Sequence, residues 1–235
     1  SSNLTALRWD GHSCRSHFVM RTIIFVNGRF PDAEIARQLV RPDDYIIAVN
    51  GGTRHALSIG VMPRVIIGDL DSLPPEQQAA LRGASTQFLR FPSRKDETDL
   101  ELALRHAVER GASEILLLAA LGGRLDQMFG NLLLLAHPCL QGIDVKIIAG
   151  RQTAFLIRDA ATIHGAPGDT VSILPISGDA VGVTNDGFEW PLRDETLPFG
   201  ATRGISNVLL GECGAIRVQR GMLLCVVIAS CDNLR

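Results

Sequence analysis

The sequence predicts a mixed α/β protein, with a three-layer α/β domain followed by an antiparallel β-sandwich domain. Two observations predict this architecture. Up to about residue 150, short apolar runs rich in β-branched residues alternate with segments of helical periodicity, which is typical of a mostly parallel sheet covered by helices on both faces. After residue 150, short strand-like runs recur between Gly, Pro and Asp clusters, which is typical of an antiparallel sandwich or barrel.

The first domain is expected to be Rossmann-like and to span residues 21–150. Its helical periodicity is clearest from Leu100 to Val108, and Gly111 then ends the pattern. In sheets of this kind, ligands bind beyond the carboxyl ends of the strands. The predicted strands are residues 22–26, 45–49, 65–67, 114–119 and 145–149, and the predicted helices are residues 32–40, 75–82, 99–109 and 127–136.

The second domain is expected to span residues 151–235. Residues 1–20 show no clear periodicity, and we interpret them as an N-terminal extension or a remnant of expression cloning, with Met20 as the natural start; a short ordered arm is the alternative. The strands predicted for the second domain are residues 153–157, 171–174, 180–184, 208–210, 215–218 and 223–228.

Composition narrows the class of protein. A hydrophobic fraction of 46% and a net charge of -2 describe a globular chain without the strongly basic surface of a nucleic-acid binder. No apolar run approaches the length of a membrane span. Five cysteines without a CxxC pair argue against a disulfide framework or a structural zinc site. We therefore expect a cytoplasmic protein without membrane or nucleic-acid partners, and we expect Cys139 and Cys225 in the core.

The sharpest local feature is the sequence Gly-Asp-Leu-Asp-Ser at residues 68–72, which follows a predicted buried strand. If the backbone stays extended, Asp69 and Asp71 point the same way. Two carboxylates at the end of a strand form a hard-oxygen site suited to Mg²⁺. Because Asp and Gly are also common in turns, this feature alone leaves a metal site and a solvated turn equally open.

A second charged cluster, Lys-Asp-Glu-Thr-Asp at residues 95–99, precedes the predicted helix 99–109. Thr98 or Asp96 is suited to cap that helix. Capping explains one hydroxyl or acid, but it does not explain a lysine with three acids. We expect Lys95 to meet phosphate oxygens and an acid to complete a metal shell. A charged helix start favoured by the helix dipole is the alternative.

Two glycine pairs follow predicted strands. Gly122 and Gly123 precede Arg124, which is suited to clamp phosphate, and a helix start follows them. Asn50 precedes the other pair, at residues 51–52. Neither pattern is a known nucleotide-binding fingerprint, and each fits a simple turn. The loops at residues 49–53, 68–72, 95–99 and 121–127 would all meet at the same edge of one parallel sheet, so their agreement carries more weight than any single motif.

The second domain offers an aromatic and a polar segment. Trp190 is suited to stack on a flat heterocycle, and Ser206 and Asn207 are suited to hydrogen bond to its edge. The residues alone favour a plainer interpretation, in which Trp190 is a core residue and the polar segment is a turn.

Taken together and in this order, the motifs resemble those of thiamine pyrophosphokinases. The resemblance covers nearly the whole chain from Arg21 to Ile228. Each motif alone has only modest specificity for this family, whereas the ordered set is highly specific. The motifs are GDLDS at 68–72, KDETD at 95–99, GGRLDQ at 122–127, GFEWPL at 187–192 and GISN at 204–207.

The resemblance implies a homodimeric enzyme that transfers the pyrophosphoryl group of ATP to the hydroxyl of thiamine, giving thiamine diphosphate and AMP. It implies that Mg²⁺ is held by Asp69, Asp71 and Asp99. It also implies a nucleotide-binding catalytic first domain, a thiamine-binding second domain, and an active site between the first domain of one subunit and the second domain of the other.

The resemblance also implies roles for further residues. Either Asp96 or Asp126 accepts the hydroxyl proton. The thiamine side comprises Trp190, Ser206 and Asn207. The catalytic residues comprise Asp71, Asp96, Asp99, Arg124 and Asp126, and the nucleotide and pyrophosphate region is lined by Gly51, Gly52, Lys95, Thr98, Gly122, Gly123, Arg124 and Gln127.

One residue departs from the family pattern, since Asn50 stands where members commonly have an acid. Asparagine keeps the shape of an aspartate and loses its charge. Two alternatives remain: a pyrophosphokinase that acts on a hydroxymethyl pterin, and a non-catalytic nucleotide or thiamine sensor. A sensor is disfavoured because the acids are all present. A Rossmann oxidoreductase is disfavoured because the dinucleotide fingerprint is missing.

Overall fold

The computed structural model describes residues 20–31, 33–68, 73–91 and 96–230. These residues form two compact units, one up to Gly150 and the other from Arg151 onwards. The N-terminal segment before Met20 and the predicted site residues Asp69, Asp71 and Lys95 lie outside the described residues.

The first unit alternates strands and helices, as its periodicity predicts. Its elements are β1 (Met20–Phe25), α1 (Ala33–Leu39), β2 (Tyr45–Val49), α2 (Gly52–Ser58), β3 (Val65–Ile67), α3 (Pro75–Gly83), β4 (Gln87–Leu89), α4 (Asp99–Glu109), β5 (Ala112–Leu118), α5 (Leu125–Leu134) and β6 (Asp144–Ala149), with a 3₁₀ turn at Pro138–Leu140.

The strands of this unit form a parallel sheet in the order β6-β5-β1-β2-β3-β4. The chain moves outward from β1 to β4 and then returns to place β5 on the other side of β1. This reversal of direction lies between β1 and β5. In open α/β sheets, ligands bind outside the carboxyl ends of the strands at such a reversal.

Buried apolar residues cover both faces of this sheet. On one face, Ile23 and Phe25 of β1 pack with residues of α1 and α2, and Ile66 of β3 packs with Leu81 of α3. Ile24 of β1 points to the other face and is fully buried, and α4 contacts β2, β3 and β5 there. Buried apolar side chains do most to stabilise such a unit, at about 25 cal/mol per Å² removed from water. The three-layer arrangement therefore holds the carboxyl ends of the strands at one edge.

Helix α4 shows how its sequence sets its bounds. It begins at Asp99, because Thr98 Oγ1 accepts a hydrogen bond from the main-chain N–H of Glu101 at 3.2 Å. It ends at Glu109, and Gly111 follows with a φ of 90°. Both bounds match the prediction. Helix α5 begins two residues earlier than predicted, at Leu125, and the three-residue strand β4 was not predicted.

The second unit contains antiparallel strands in two sheets. They are β7 (Gln152–Ile157), β8 (Ala160–His164), β9 (Thr170–Pro175), β10 (Ala180–Asp186), β11 (Glu195–Leu197), β12 (Asn207–Val208), β13 (Cys213–Arg217) and β14 (Leu223–Ile228).

One sheet has the order β12-β9-β14-β7 and the other has the order β11-β10-β13-β8. A shared core contains Ile173 and Leu223 from the first sheet and Val183 and Ile216 from the second. The two sheets therefore pack face to face as a sandwich. Strands β8 and β11 were not predicted, because β8 is rich in alanine and β11 has three residues.

The prediction that two cysteines lie in the core is right for one of them and wrong for the other. Cys225 is fully buried, and burial raises the pKa of its thiol, as expected for a core residue. The prediction for Cys139 is wrong: it is partly exposed in the 3₁₀ turn, with its Sγ 3.0 Å from His137 Nδ1. Its short apolar sequence context did not reveal that the segment lies at the surface. Among the described helices, none is long and apolar enough to cross a membrane.

Candidate active site

The carboxyl ends of β1, β2, β3 and β5 lie at one edge of the parallel sheet, because parallel strands all point the same way. Predicted site residues follow three of these strands in the sequence. The loop after β1 was missed, and it contains Asn27, Gly28 and Arg29.

The loops after β1 and β5 are hydrogen bonded to each other where the strand order reverses. The main-chain N–H groups of Gly28 and Arg29 donate to the carbonyls of Ala119 and Leu121, at 2.7 and 2.8 Å. A Cβ on Gly28 would lie 2.4 Å from the Leu121 oxygen, so only glycine fits there. The pairing holds Arg29 at the rim.

Asn50 links three parts of the rim. It has a φ of 49°, a left-handed conformation that asparagine tolerates, and its N–H donates to the carbonyl of Ile67 at 3.0 Å. Its Nδ2 donates to Asp99 Oδ2 at 2.6 Å. Its Oδ1 lies against Gly68, where a Cβ would be only 1.7 Å away. The end of β2, the end of β3 and the start of α4 therefore meet at this amide.

The paired glycines after β2 have a packing reason. A Cβ on Gly51 would lie 2.1 Å from Asn27 Oδ1, and a Cβ on Gly52 would lie 2.1 Å from the Phe25 carbonyl oxygen. These contacts bring α2 close to the end of β1.

The acids at the start of α4 differ in setting. Asp99 is partly buried at the first helical position, whereas Asp96 is exposed. Glu97 forms an ion pair with Arg105 at 3.3 Å. No group of three His, Cys, Asp or Glu residues that could hold a metal occurs within the described ranges. Because Asp69 and Asp71 lie outside those ranges, Asp99 is the predicted metal ligand whose setting can be described.

The loop after β5 presents charged residues to solvent. Gly122 and Gly123 have φ values of 88° and 96°, and the Arg29 side chain lies against Gly122. Arg124 precedes α5 and binds both carboxylate oxygens of Asp126, at 3.1 and 2.5 Å. Gln127 lies in the first turn of α5.

The pairing of Arg124 with Asp126 sets their protonation. The hydrogen bond from Arg124 holds the pKa of the Asp126 carboxyl below its usual range, and the same bond raises the pKa of Arg124. A carboxylate with a lowered pKa is a weaker proton acceptor. Both side chains are mostly exposed, so an incoming anion can compete for Arg124.

Two further residues at this edge were missed by the sequence reasoning. An Arg54 Nη2 atom lies 3.0 Å from the position of a Cβ on Gly51. His55 Nε2 lies 3.0 Å from the Gly28 carbonyl oxygen. Burial is the main cause that lowers the pKa of His55, which favours the neutral form of the imidazole. The sequence did contain a signal for the missed loop after β1, since the polar and glycine residues Asn27, Gly28 and Arg29 directly follow the predicted strand 22–26.

The second unit presents Trp190 on an irregular loop between β10 and β11. Its residue surface is 54% exposed, so the interpretation as a core tryptophan is wrong. Phe188 fills the core position instead and is 4% exposed. The sequence could not separate the two aromatic residues, because they lie two positions apart in one short apolar segment.

The Trp190 backbone is held by asparagine side chains. Asn207 accepts from the Trp190 N–H at 3.0 Å and donates to its carbonyl at 2.7 Å. Asn185 is buried, donates to the same carbonyl at 3.2 Å and accepts from Leu192 N–H at 2.7 Å. The amide of Asn207 is thus engaged with the loop. Ser206 is exposed, and its N–H donates to Ser172 Oγ at 3.0 Å.

Comparison with known proteins decides the family. Residues 36–147 match the family model for the thiamin pyrophosphokinase catalytic domain, and residues 160–223 match the model for the thiamin pyrophosphokinase vitamin B1 binding domain. The chain belongs to the thiamin pyrophosphokinase family. The resemblance predicted from the ordered motifs is confirmed.

Curated relatives carry the same family name. The chain is 28% identical to a thiamine pyrophosphokinase of Bacillus subtilis over 183 residues, which is 77% of this chain and 85% of that protein. It is also 28% identical to thiamine pyrophosphokinase 3 of Oryza sativa over 167 residues, which is 66% of this chain and 62% of that protein.

Solved structures of thiamin pyrophosphokinases share the fold. The structure from Bacillus subtilis has a TM-score of 0.79 at 26% identity and covers 90% of this chain and 99% of its own. The structure from Geobacillus thermodenitrificans has a TM-score of 0.78 at 29% identity and covers 92% of this chain and 100% of its own. The yeast structure has a TM-score of 0.74 at 17% identity and covers 93% of this chain and 89% of its own. At this identity it supports the fold alone. The predicted fold class is confirmed.

Proposed function

We propose that this protein transfers the pyrophosphoryl group of ATP to the hydroxyl of thiamine, forming thiamine diphosphate and AMP. The observation that carries the proposal is the succession of the catalytic and vitamin B1 binding family models along one chain. We assign the nucleotide to the unit up to residue 150 and thiamine to the unit from residue 151.

Asp99 supports a magnesium site in the first unit. Its carboxylate is partly buried at the carboxyl edge of the sheet, and an amide donor fixes one of its oxygens. Gly68, which precedes Asp69, contacts the same amide. Carboxylate oxygens suit Mg²⁺, and we propose Asp69, Asp71 and Asp99 as its ligands. Bound there, Mg²⁺ would supply positive charge to the phosphate oxygens in the transition state.

The remaining phosphate contacts are proposed for residues of the loops at this edge. Arg124 is mostly exposed and has a bidentate carboxylate partner, the geometry with which guanidinium groups bind phosphates. Arg29 and Lys95 would add positive charge. Phosphoryl transfer depends mainly on positioning and charge neutralisation, so these residues would orient ATP for in-line attack by the hydroxyl.

The proton acceptor is proposed to be Asp96. The sequence left Asp96 and Asp126 open. Asp126 is bound to Arg124 through both carboxylate oxygens, and its pKa is lowered by that pairing. A carboxylate held in this way accepts a proton less readily, and we propose that Asp126 orients Arg124 instead.

The thiamine site is proposed to centre on Trp190. An exposed indole on a hydrogen-bonded loop is suited to stack on a flat heterocycle. Asn207 would act by holding that loop, and Ser206 is exposed beside it in sequence, where it is available to a ligand.

A homodimer is supported by the surface of α5. Leu125, Phe129 and Leu133 recur at intervals of four residues, so they share one face of the helix, and all three are exposed in the single chain. Exposed apolar stripes of this kind mark protein interfaces. We propose that a second copy covers this face. We also propose that the enzyme works in the cytoplasm, where ATP is available and the described cysteines Cys139, Cys213 and Cys225 stay reduced.

The test of the transfer chemistry follows the phosphorus atoms. With ATP labelled at the γ-phosphate, the label is expected in the thiamine product and not in AMP. With ATP labelled at the α-phosphate, the label is expected in AMP alone. Label from the α-phosphate in the thiamine product, or ADP as the nucleotide product, would contradict pyrophosphoryl transfer.

A further inference from the structure

We infer that Asn50 is a positioning residue that holds the Asp99 carboxylate ready for its metal before the metal binds. The inference rests on the proposed function, because it takes Asp99 as a metal ligand. It extends that function to a residue whose side chain carries no positive or negative charge.

The backbone of Asn50 is fixed on both sides. Its N–H donates to the Ile67 carbonyl at 3.0 Å, and its carbonyl accepts from the N–H and the Oγ1 of Thr53, at 3.2 and 2.9 Å. Thr53 is fully buried. The side chain of Asn50 therefore starts from a rigid base at the end of β2.

The orientation of the amide follows from its neighbours. The Nδ2 group lies 2.6 Å from Asp99 Oδ2, and the Oδ1 atom lies against the Cα of Gly68. If the amide were flipped, its oxygen would face a carboxylate oxygen at hydrogen-bond distance, which is repulsive. The N–H donor therefore points to Asp99, and one carboxylate oxygen is held.

Because the Asn50 amide is neutral, its contact with the Asp99 carboxylate needs no cation to be stable. A donor can hold a carboxylate without any cation, whereas an acid at position 50 would place two negative charges against each other. With asparagine, Asp99 keeps its orientation in the metal-free protein. With aspartate, we expect the same edge of the sheet to need a divalent cation.

The first experiment measures thermal unfolding of the full chain without substrates, in EDTA and in MgCl₂. For Asn50→Asp, the unfolding midpoint in EDTA is expected to fall by about 2–4 °C or more below that of the unchanged protein, and Mg²⁺ is expected to restore it. An Asn50→Asp midpoint in EDTA equal to that of the unchanged protein would overturn the inference.

Asn131→Asp is the matched control. Asn131 is buried, and its Nδ2 donates to the Ala120 carbonyl at 2.7 Å, which is a main-chain oxygen and not a carboxylate. This variant loses the same kind of donor, so its midpoint is expected to fall equally in EDTA and in MgCl₂. A recovery by Mg²⁺ as large as that of Asn50→Asp would overturn the inference.

The second experiment titrates the full chain with Mn²⁺ alone, as a stand-in for Mg²⁺, and follows the signal of the free ion by electron paramagnetic resonance. Asn50→Gly removes the amide and tolerates the positive φ at this position. Its affinity for Mn²⁺ is expected to fall about 10-fold or more, the scale for losing an outer-shell partner. Unchanged affinity would overturn the inference.

The two proposals fail in different ways. An unchanged protein that forms thiamine diphosphate with Mg²⁺, combined with Asn50 variants that behave like it in both experiments, overturns the role of Asn50 alone. An unchanged protein that makes no thiamine diphosphate overturns the proposed function, whatever the Asn50 variants do.

Discussion

Asp99 is a residue whose contacts allow its chemistry to be separated from its structural role. It receives the Asn50 donor through Oδ2 at 2.6 Å. An asparagine at position 99 would keep an oxygen that can accept this bond. The change from aspartate to asparagine therefore removes charge while the local hydrogen bond is retained.

Asp99→Asn is expected to lower turnover by about 100-fold or more, the scale for losing transition-state charge stabilisation. Asp71→Asn is expected to behave alike. The control is Glu109→Gln, the same kind of change at an exposed position in the last turn of α4. Steady-state rates at saturating Mg²⁺ are the measurement, and near-normal turnover of Asp99→Asn would contradict its metal role.

Trp190→Ala is expected to raise the KM for thiamine about tenfold, which corresponds to about 1.4 kcal/mol of lost stacking. Because the residue is more than half exposed, the free energy of unfolding is expected to change little. Phe199→Ala is the control, since Phe199 is an exposed aromatic residue of the same unit. Initial rates over a range of thiamine concentrations give the KM, and an unchanged value would remove Trp190 from the site.

At the scale of elements, α2 and α4 each carry a histidine that folding keeps neutral. Burial is the main cause that lowers the pKa of His55 and of His106 below 6.5, and neighbouring Arg54 and Arg110 lower these pKa values further. Well above pH 6.5, both histidines are neutral in the folded and in the unfolded chain. As the pH falls through 6.5, the unfolded chain binds protons first, so stability is lost.

The free energy of unfolding is therefore expected to be smaller at pH 5.5 than at pH 7.5. A double variant, His55→Gln with His106→Gln, is expected to lose less stability over the same interval, because it lacks these two groups. Urea unfolding at the two pH values measures both differences. An equal loss in the double variant and the unchanged protein would contradict this assignment.

The sequence predicts elements well where several local signals agree. Helix α4 has an apolar stripe, a threonine cap and a terminal glycine, and its predicted bounds match those observed. Strand β4 has three residues, and its first, Gln87, is exposed, so a pattern of alternation or burial is too short to detect. Helix α5 begins at Leu125, two residues before its predicted start, because the prediction assigned Leu125 and Asp126 to the preceding glycine loop.

The sequence predicts site residues from their types and their places at strand ends, but it does not contain their contacts. The loops after β2, β3 and β5 were identified because each joins glycine to polar residues at a strand end. The contact between Asn50 and Asp99 joins residues 49 positions apart, which no local pattern contains. The loop pairing of Arg29 with Leu121, and the exposure of Trp190, likewise depend on tertiary packing.

At the scale of the whole molecule, two units with different architectures follow each other in one chain. One is built on a parallel sheet and the other on two antiparallel sheets, and each matches a different domain model of the same family. The sequence predicted this order because helical periodicity stops near residue 150. We therefore expect one chain to carry out a reaction between a nucleotide and thiamine.

The most direct measurement combines the purified protein, ATP, Mg²⁺ and thiamine and separates the products by chromatography. We expect AMP and thiamine diphosphate in equal amounts, and we expect EDTA to abolish the formation of both. The appearance of ADP with thiamine monophosphate would contradict pyrophosphoryl transfer. Ligand binding without any product would contradict the assignment of this chain as an enzyme.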